Sequence, residues 1–243
     1  MTIGEMHYDF KQKLNALDSQ KYTGLKVPEI DWKLNEAQEV YVKIIADPQE
    51  NSKIGFEVDQ RSIDDIRTVV VDQQPNDYII AQVFDSSSYY IVLPPDYWFL
   101  ANVNVIASKG KCIGVELYNS REVQHDDKHE YSPFDKSSFE WRISNYRYNN
   151  MGIRFFTDTT FSIDKVGLEY LTKPTPMQNA KAYLAGGGTY NTIDGVVLTG
   201  SQDCLLPEQT HRDIVDLAVL IAANDLSLPN YTMKKDKLNI TKQ

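Results

Sequence analysis

His125 and His129 stand four residues apart in HDDKHE, the spacing at which one face of a helix offers two imidazoles to a metal ion, with Asp126, Asp127 and Glu130 as further oxygen donors. The surroundings argue against that chemistry. SRE precedes the segment and YSPFD follows it, between expected strands, and no other His- or Cys-rich cluster supplies the missing ligands, so it reads as a charged, solvated loop. AGGGTYN, residues 185–191, raises the question of a phosphate cradle. A Walker loop would need Gly-Lys-Ser/Thr and a helix beyond it, and a dinucleotide turn would need Gly-x-Gly-x-x-Gly; the three glycines read instead as a connection. There is no Gly-x-Ser-x-Gly elbow, and Cys112 in GKCIGV stands in an expected strand with no local histidine. Only His7 and His211 remain, so the chain reads as no enzyme, with no cofactor and no metal. The enzymatic alternative is a glycan hydrolase, which would need two carboxylates facing across a cleft.

His211 itself leads into an unusual stretch, LPEQTHRDIVDLAVLIAANDL, residues 205–225. Thr210 and Asp213 have the spacing of a capping pair, and Glu208 and Asp213 suit the positive end of a helix, which accounts for the carboxylates without catalysis. His211 is then a polar contact near the first turn, and His211→Ala is expected to be mild. From Ile214 to Ala223 only Asp216 interrupts the apolar run, so the helix is apolar nearly all round yet too short to cross a bilayer. It must be buried deep in its own domain or shared between that domain and a neighbour. The interface residues expected on this ground are Ile214, Leu217, Ala218, Leu220 and Ile221, joined by Lys234 and Lys235 of the basic tail.

The elements around these stretches sort by period. Residues 2–18 predict a helix, with Thr2 and Glu5 at capping-box spacing and Met6, Phe10, Leu14 and Leu17 on one face. A second helix has Pro28 in its first turn, a stripe of Ile30, Leu34, Ala37, Tyr41 and Ile44, and a stop at Pro48. From about residue 67 the period becomes two: RTVVVDQ, YIIAQVF, SYYIVL, ANVNVIAS, CIGVELY, FEWRISNYRY, TFSID and VGLEYLTKP are separated by turn signals. FEWRISNYRY places Phe139, Trp141 and Ile143 on one face. No helix-length segment separates these strands, which disfavours a parallel sheet. The fold class is α+β: an N-terminal helical hairpin (1–66), an antiparallel β-sandwich or barrel (67–203), a C-terminal helix packed with the N-terminal helices (204–226) and an arm (227–243).

Composition narrows the function classes. Thirty-four acidic against 25 basic side chains give a net charge of −9, unsuited to gripping phosphate backbones. The N-terminus lacks the apolar core of a secretory signal, and no run of about eighteen apolar residues offers a membrane span. Cys112 and Cys204, far apart in sequence, form neither a disulfide framework nor a metal knuckle and are expected to be buried thiols in a reducing cytoplasm.

Several phrases, TIGEMHYDFKQKLNALDSQ, VPEIDWKLNEAQEVYVKII, IDDIRTVVV, LPPDYWFL and LPEQTHRDIVDLAVLIA, resemble a virion structural protein of crAss-like bacteriophages, in the family of ring proteins that connect the capsid portal to the tail. LEYLTKP and PEQTHRDIVDLAV are also similar to the head-to-tail adaptors of short-tailed phages. The resemblance implies a homo-oligomeric ring, twelve-fold like the portal, assembled in the bacterial host cytoplasm and carried in the virion. Its implied partners are the portal and neighbouring connector or tail rings, with genomic DNA passing through the channel without sequence-specific binding. A tail or collar attachment module, or a glycan-binding module, is the alternative in a different class.

Overall fold

The computed structural model describes residues 1–17, 24–46, 64–123, 136–192 and 195–226. They divide into two compact units: residues 1–69 with 174–243, and residues 70–173 between them in sequence.

The first unit is helical. Helix α1, Ile3–Leu17, opens on the expected capping box, Thr2 N–H donating to Glu5 Oε2 at 2.8 Å and Glu5 N–H to Thr2 Oγ1 at 3.4 Å. Helix α2, Val27–Ala46, begins with Lys26 N–H donating to Glu29 Oε2 at 2.7 Å and carries Pro28 in its first turn. The stripes are buried as predicted at Met6, Phe10 and Leu14 on α1 and at Ile30, Leu34, Ala37 and Tyr41 on α2, whereas Ile44 is exposed. Helix α3, His211–Asp225, packs against both. It does not start with the predicted cap. A 3-10 turn, Glu208–Thr210, runs straight into it, Thr210 has helical dihedrals, and its hydroxyl donates to the Pro207 carbonyl at 2.9 Å instead.

The second unit is two sheets around one apolar core. One has the order β1-β10-β5-β6 with β2 also on β10; the other has the order β3-β4-β9-β8-β7. The strands are β1 Val70–Asp72, β2 Ile79–Ile80, β3 Gln82–Asp85, β4 Ser88–Ile91, β5 Tyr97–Lys109, β6 Cys112–Leu117, β7 Asn119–Glu122, β8 Ile143–Asn149, β9 Gly152–Phe156 and β10 Ser162–Thr172. All pairings are antiparallel except β7 with β8. Ile91, Val103, Val105, Leu117, Ile153, Phe155, Ile163 and Leu168 interdigitate in the core. Gly152 is required where β9 starts: its φ is +141°, and a Cβ there would lie 2.1 Å from the Ile91 carbonyl oxygen.

Two predicted strands fall differently. YIIAQVF is broken at Ala81, so that β2 pairs in one sheet and β3 in the other. FEWRISNYRY starts as a turn: Ser138 and Ile143 exchange both backbone hydrogen bonds at 2.9 Å, and Arg142 closes the loop in the left-handed region at φ 57°. Phe139 and Ile143 are buried, but Trp141 sits at the turn and is exposed rather than on their face. In the segment 174–203, which belongs to the helical unit, a short hairpin joins β11, Thr189–Asn191, to β12, Val197–Thr199.

Candidate functional site

The burial of α3 divides the residues expected at an interface. Ile214, Val215, Ala218, Val219, Ala222 and Ala223 are fully closed off within the unit, whereas Leu217, Leu220 and Ile221 are half-buried, on the opposite arc with Asp216. At 100° per residue the buried set spans about half the circumference, as expected of a helix lying between two others. Burying Ile214, Val215 and Val219 stabilises the unit by roughly 1.5–3 kcal/mol each. That half-open arc is mixed: Leu217, Leu220 and Ile221 share it with Asp213, Asp216 and Asn224. Lys13 of α1 bonds Asp9 at 2.7 Å and Asp216 of α3 at 3.2 Å, and Lys33 of α2 bonds Asp225 at 2.5 Å. Burial works against both ammonium groups, but the hydrogen bonds and charges of Asp9 and Asp216 hold the Lys13 pKa above its ordinary value, and those of Asp225 and Glu36 do so for Lys33. Lys234 and Lys235 lie outside the described residues, as do His125 and His129.

His211 is buried. Its Nε2–H donates to the Leu206 carbonyl at 2.8 Å, fastening the entry of α3 to the chain before it. Replacing it therefore removes a buried hydrogen bond, which costs about 1–3 kcal/mol rather than little.

The other polar centre was not legible in the sequence. Asp31 of α2 is 2% exposed and saturated by three partners: His7 Nε2–H of α1 at 2.7 Å on Oδ1, and Asn179 N–H at 3.0 Å and Tyr190 O–H at 2.6 Å on Oδ2. One turn on, Asn35 clasps Met177 as a second peptide would, its Oδ1 accepting from Met177 N–H at 2.7 Å and its Nδ2–H donating to Met177 O at 2.9 Å. Burial, then the hydrogen bond to Asp31, push the Tyr190 phenol pKa up. A histidine, carboxylate and phenol in contact could move protons in an open cleft. Here each oxygen of Asp31 is taken by a partner that holds an element, so the arrangement is a clamp joining α1, α2 and the 177–190 segment. AGGGTYN supplies Tyr190 to that clamp and is more than a connection.

The cysteines also depart from expectation. Cys112 is exposed on β6, and Cys204 is half-buried, its thiol pushed up to about 11 chiefly by burial. Two of the three tryptophans, Trp32 and Trp141, are exposed. Among the described residues, no helix is long and apolar enough to cross a membrane.

Residues 1–229 match the family described as phage tail ring protein 3/4, a family of crAss phages. The match runs through both units and α3. No curated protein matches the chain.

Proposed function

The chain belongs to the phage tail ring protein 3/4 family, and we propose that it forms a ring of the head-to-tail connector, between portal and tail, through which genomic DNA passes. A tail ring protein is a structural component of the virion and assembles with other phage tail proteins; that role is not enzymatic. The observation that carries the reading is the family match across both units. The half-buried Leu217, Leu220 and Ile221 of α3 support it, since large apolar side chains left partly open on one helix are stabilised when a neighbour covers them. Leu217, Leu220 and Ile221 would touch that neighbour. Ile214 and Ala218, already buried, would keep the helix seated beneath them, and Lys234 and Lys235 would extend the contact to an acidic partner surface.

A closed ring needs heterologous contacts, each subunit using two different surfaces. Twelve copies would match a twelve-fold portal, with the portal and adjacent rings as axial partners and assembly in the host cytoplasm. The net charge of −9 keeps the subunit from trapping a polyanion that must slide past it.

Native mass spectrometry and negative-stain imaging of the full chain test this. The expected result is a closed ring; a monomer at assembly concentrations contradicts it. Leu217→Asp and Ile221→Asp should each leave a folded chain that no longer assembles.

A further inference from the structure

The β unit has two lateral sides, each made by a chain that crosses from one sheet directly to the other. On one, β2 at the edge of the first sheet runs through Ala81 into β3 at the edge of the second. On the opposite one, β6 runs through Tyr118 into β7, the other edge of each sheet. Both sides display large apolar side chains: Ile80 (70% exposed) and Val83 (69%) on the β2–β3 side, Ile113 (79%), Tyr118 (75%) and the turn residue Trp141 (73%) on the β6–β7 side.

We propose that these sides are the two halves of a head-to-tail contact, the β6–β7 side of one subunit seated on the β2–β3 side of a second copy of this chain. The inference rests on the ring reading and names the surfaces that close the ring. Three observations carry it.

The two surfaces differ and lie on opposite flanks of one rigid core, which is what a heterologous contact that can close requires. Their charges are complementary. Residues 70–85 carry Asp72, Asp77 and Asp85, partly offset by Arg154 on Asp85 and by Lys165 opposite Ile80, while residues 109–122 carry three basic side chains against two acidic, with Arg142 and Glu140 beside them, so the first side is net acidic and the second net basic by a small margin. Finally, β3 is short and irregular at Phe84, which discourages an added strand, yet it has neither lysine nor proline and leaves Val83 and Phe84 exposed for side-chain contact.

The β6–β7 side is also built to hold its shape. Trp141 N–H donates to Ser138 Oγ at 3.4 Å, Lys109 pairs with Glu140, and the Arg142 guanidinium donates to the Glu116 carbonyl at 3.1 Å while lying 5.6 Å from the Phe139 ring centre. A left-handed arginine costs roughly 1–2 kcal/mol, and these contacts offset it, presenting Trp141 on a fixed turn. Because Arg142 occupies a backbone acceptor of β6, the contact there is through side chains rather than an added strand.

The exposed thiol of Cys112 gives a direct test in the full chain. In a Cys204→Ser background, Val83→Cys is treated with a short bis-maleimide, and the products are sized under denaturing conditions. A ladder of dimers, trimers and higher covalent species supports the contact, since head-to-tail linkage propagates; linkage stopping at dimers overturns it. Ile80→Asp and Ile113→Asp are checked by native mass, with thermal melting to confirm that each remains folded. Both should shift the ring to monomer. A ring that persists in both variants, without a ladder, overturns the edge contact and leaves the ring reading standing; a wild-type chain that forms no ring overturns both.

Discussion

The helical unit adds a saturated carboxylate to its buried apolar helix faces, whereas the β unit is held by aliphatic and aromatic side chains without a buried charge at their centre. Asp31 draws α1, α2 and the 177–190 segment to one point through His7, Tyr190 and Asn179, whereas Phe155, Ile153, Leu168 and their neighbours fill the space between two sheets. Hydrogen bonds have direction, so the clamp fixes which segment meets which helix. Hydrophobic burial has little direction, and in the β unit the strand registers do that work. The clamp suits segments drawn from distant parts of the chain; the sandwich suits one continuous stretch.

The strongest way to break the comparison is to separate the units. Val70 pairs with Leu171, so the entry and exit of the β unit are neighbours and a short Gly-Ser linker can join Val69 to Pro174. The chain lacking residues 70–173 should keep its helical circular dichroism and one cooperative melt; loss of both would show that the helical unit depends on the sandwich. Next in size, Asp31→Ala leaves His7 and Tyr190 without their shared acceptor and should destabilise the helical unit by about 3–5 kcal/mol. Near-ultraviolet signals from the β unit should persist at temperatures where the helical signal has gone.

The smallest change sharpens the account of the clamp. Tyr190→Phe removes one hydrogen bond and should cost about 1 kcal/mol below pH 10. The folded-state pKa of Tyr190 is raised above its ordinary value of 10.0, so its contribution is complete below that value and lost as the pH rises through the folded pKa. Alkaline melting curves of wild type and Tyr190→Phe should therefore converge above pH 10. A difference that stays constant would mean that the phenol is not held in its neutral form by the clamp.

The parts of the fold that were legible depend on local period. The stripe of Met6, Phe10 and Leu14 and the capping box at Thr2 and Glu5 are decided within one or two turns, and the α+β class follows from helices flanking a run of alternating segments. The polar strand NSRE, β7, gives no apolar alternation to read, because it lies at an edge of its sheet and none of its four residues is fully buried. GIRFF, β9, has turn signals on both sides, but five residues with glycine first and two adjacent phenylalanines give too short an alternation to read. FEWRISNYRY alternates convincingly, but Arg142 adopts a left-handed conformation that its residue type does not announce. The clamp was out of reach for a different reason: the partners of Asp31 lie 24, 148 and 159 residues away in sequence, and no spacing rule connects them. Cys112 was misread because its apolar neighbours suggest a core strand, while β6 is an edge.

The discontinuity of the helical unit has a consequence for biosynthesis. Helices α1 and α2 leave the ribosome first, yet α3, Asn179 and Tyr190 follow the entire β unit. At about 5–20 residues per second the delay is on the order of ten seconds, long against the formation of a helix or a hairpin. Through that interval the apolar faces of α1 and α2 lack α3, against which both pack, while the sandwich can complete itself. The half-open arc of α3 is translated after α1, α2 and the β unit, so a nascent chain cannot offer that surface to another subunit before its own helices are able to cover the rest.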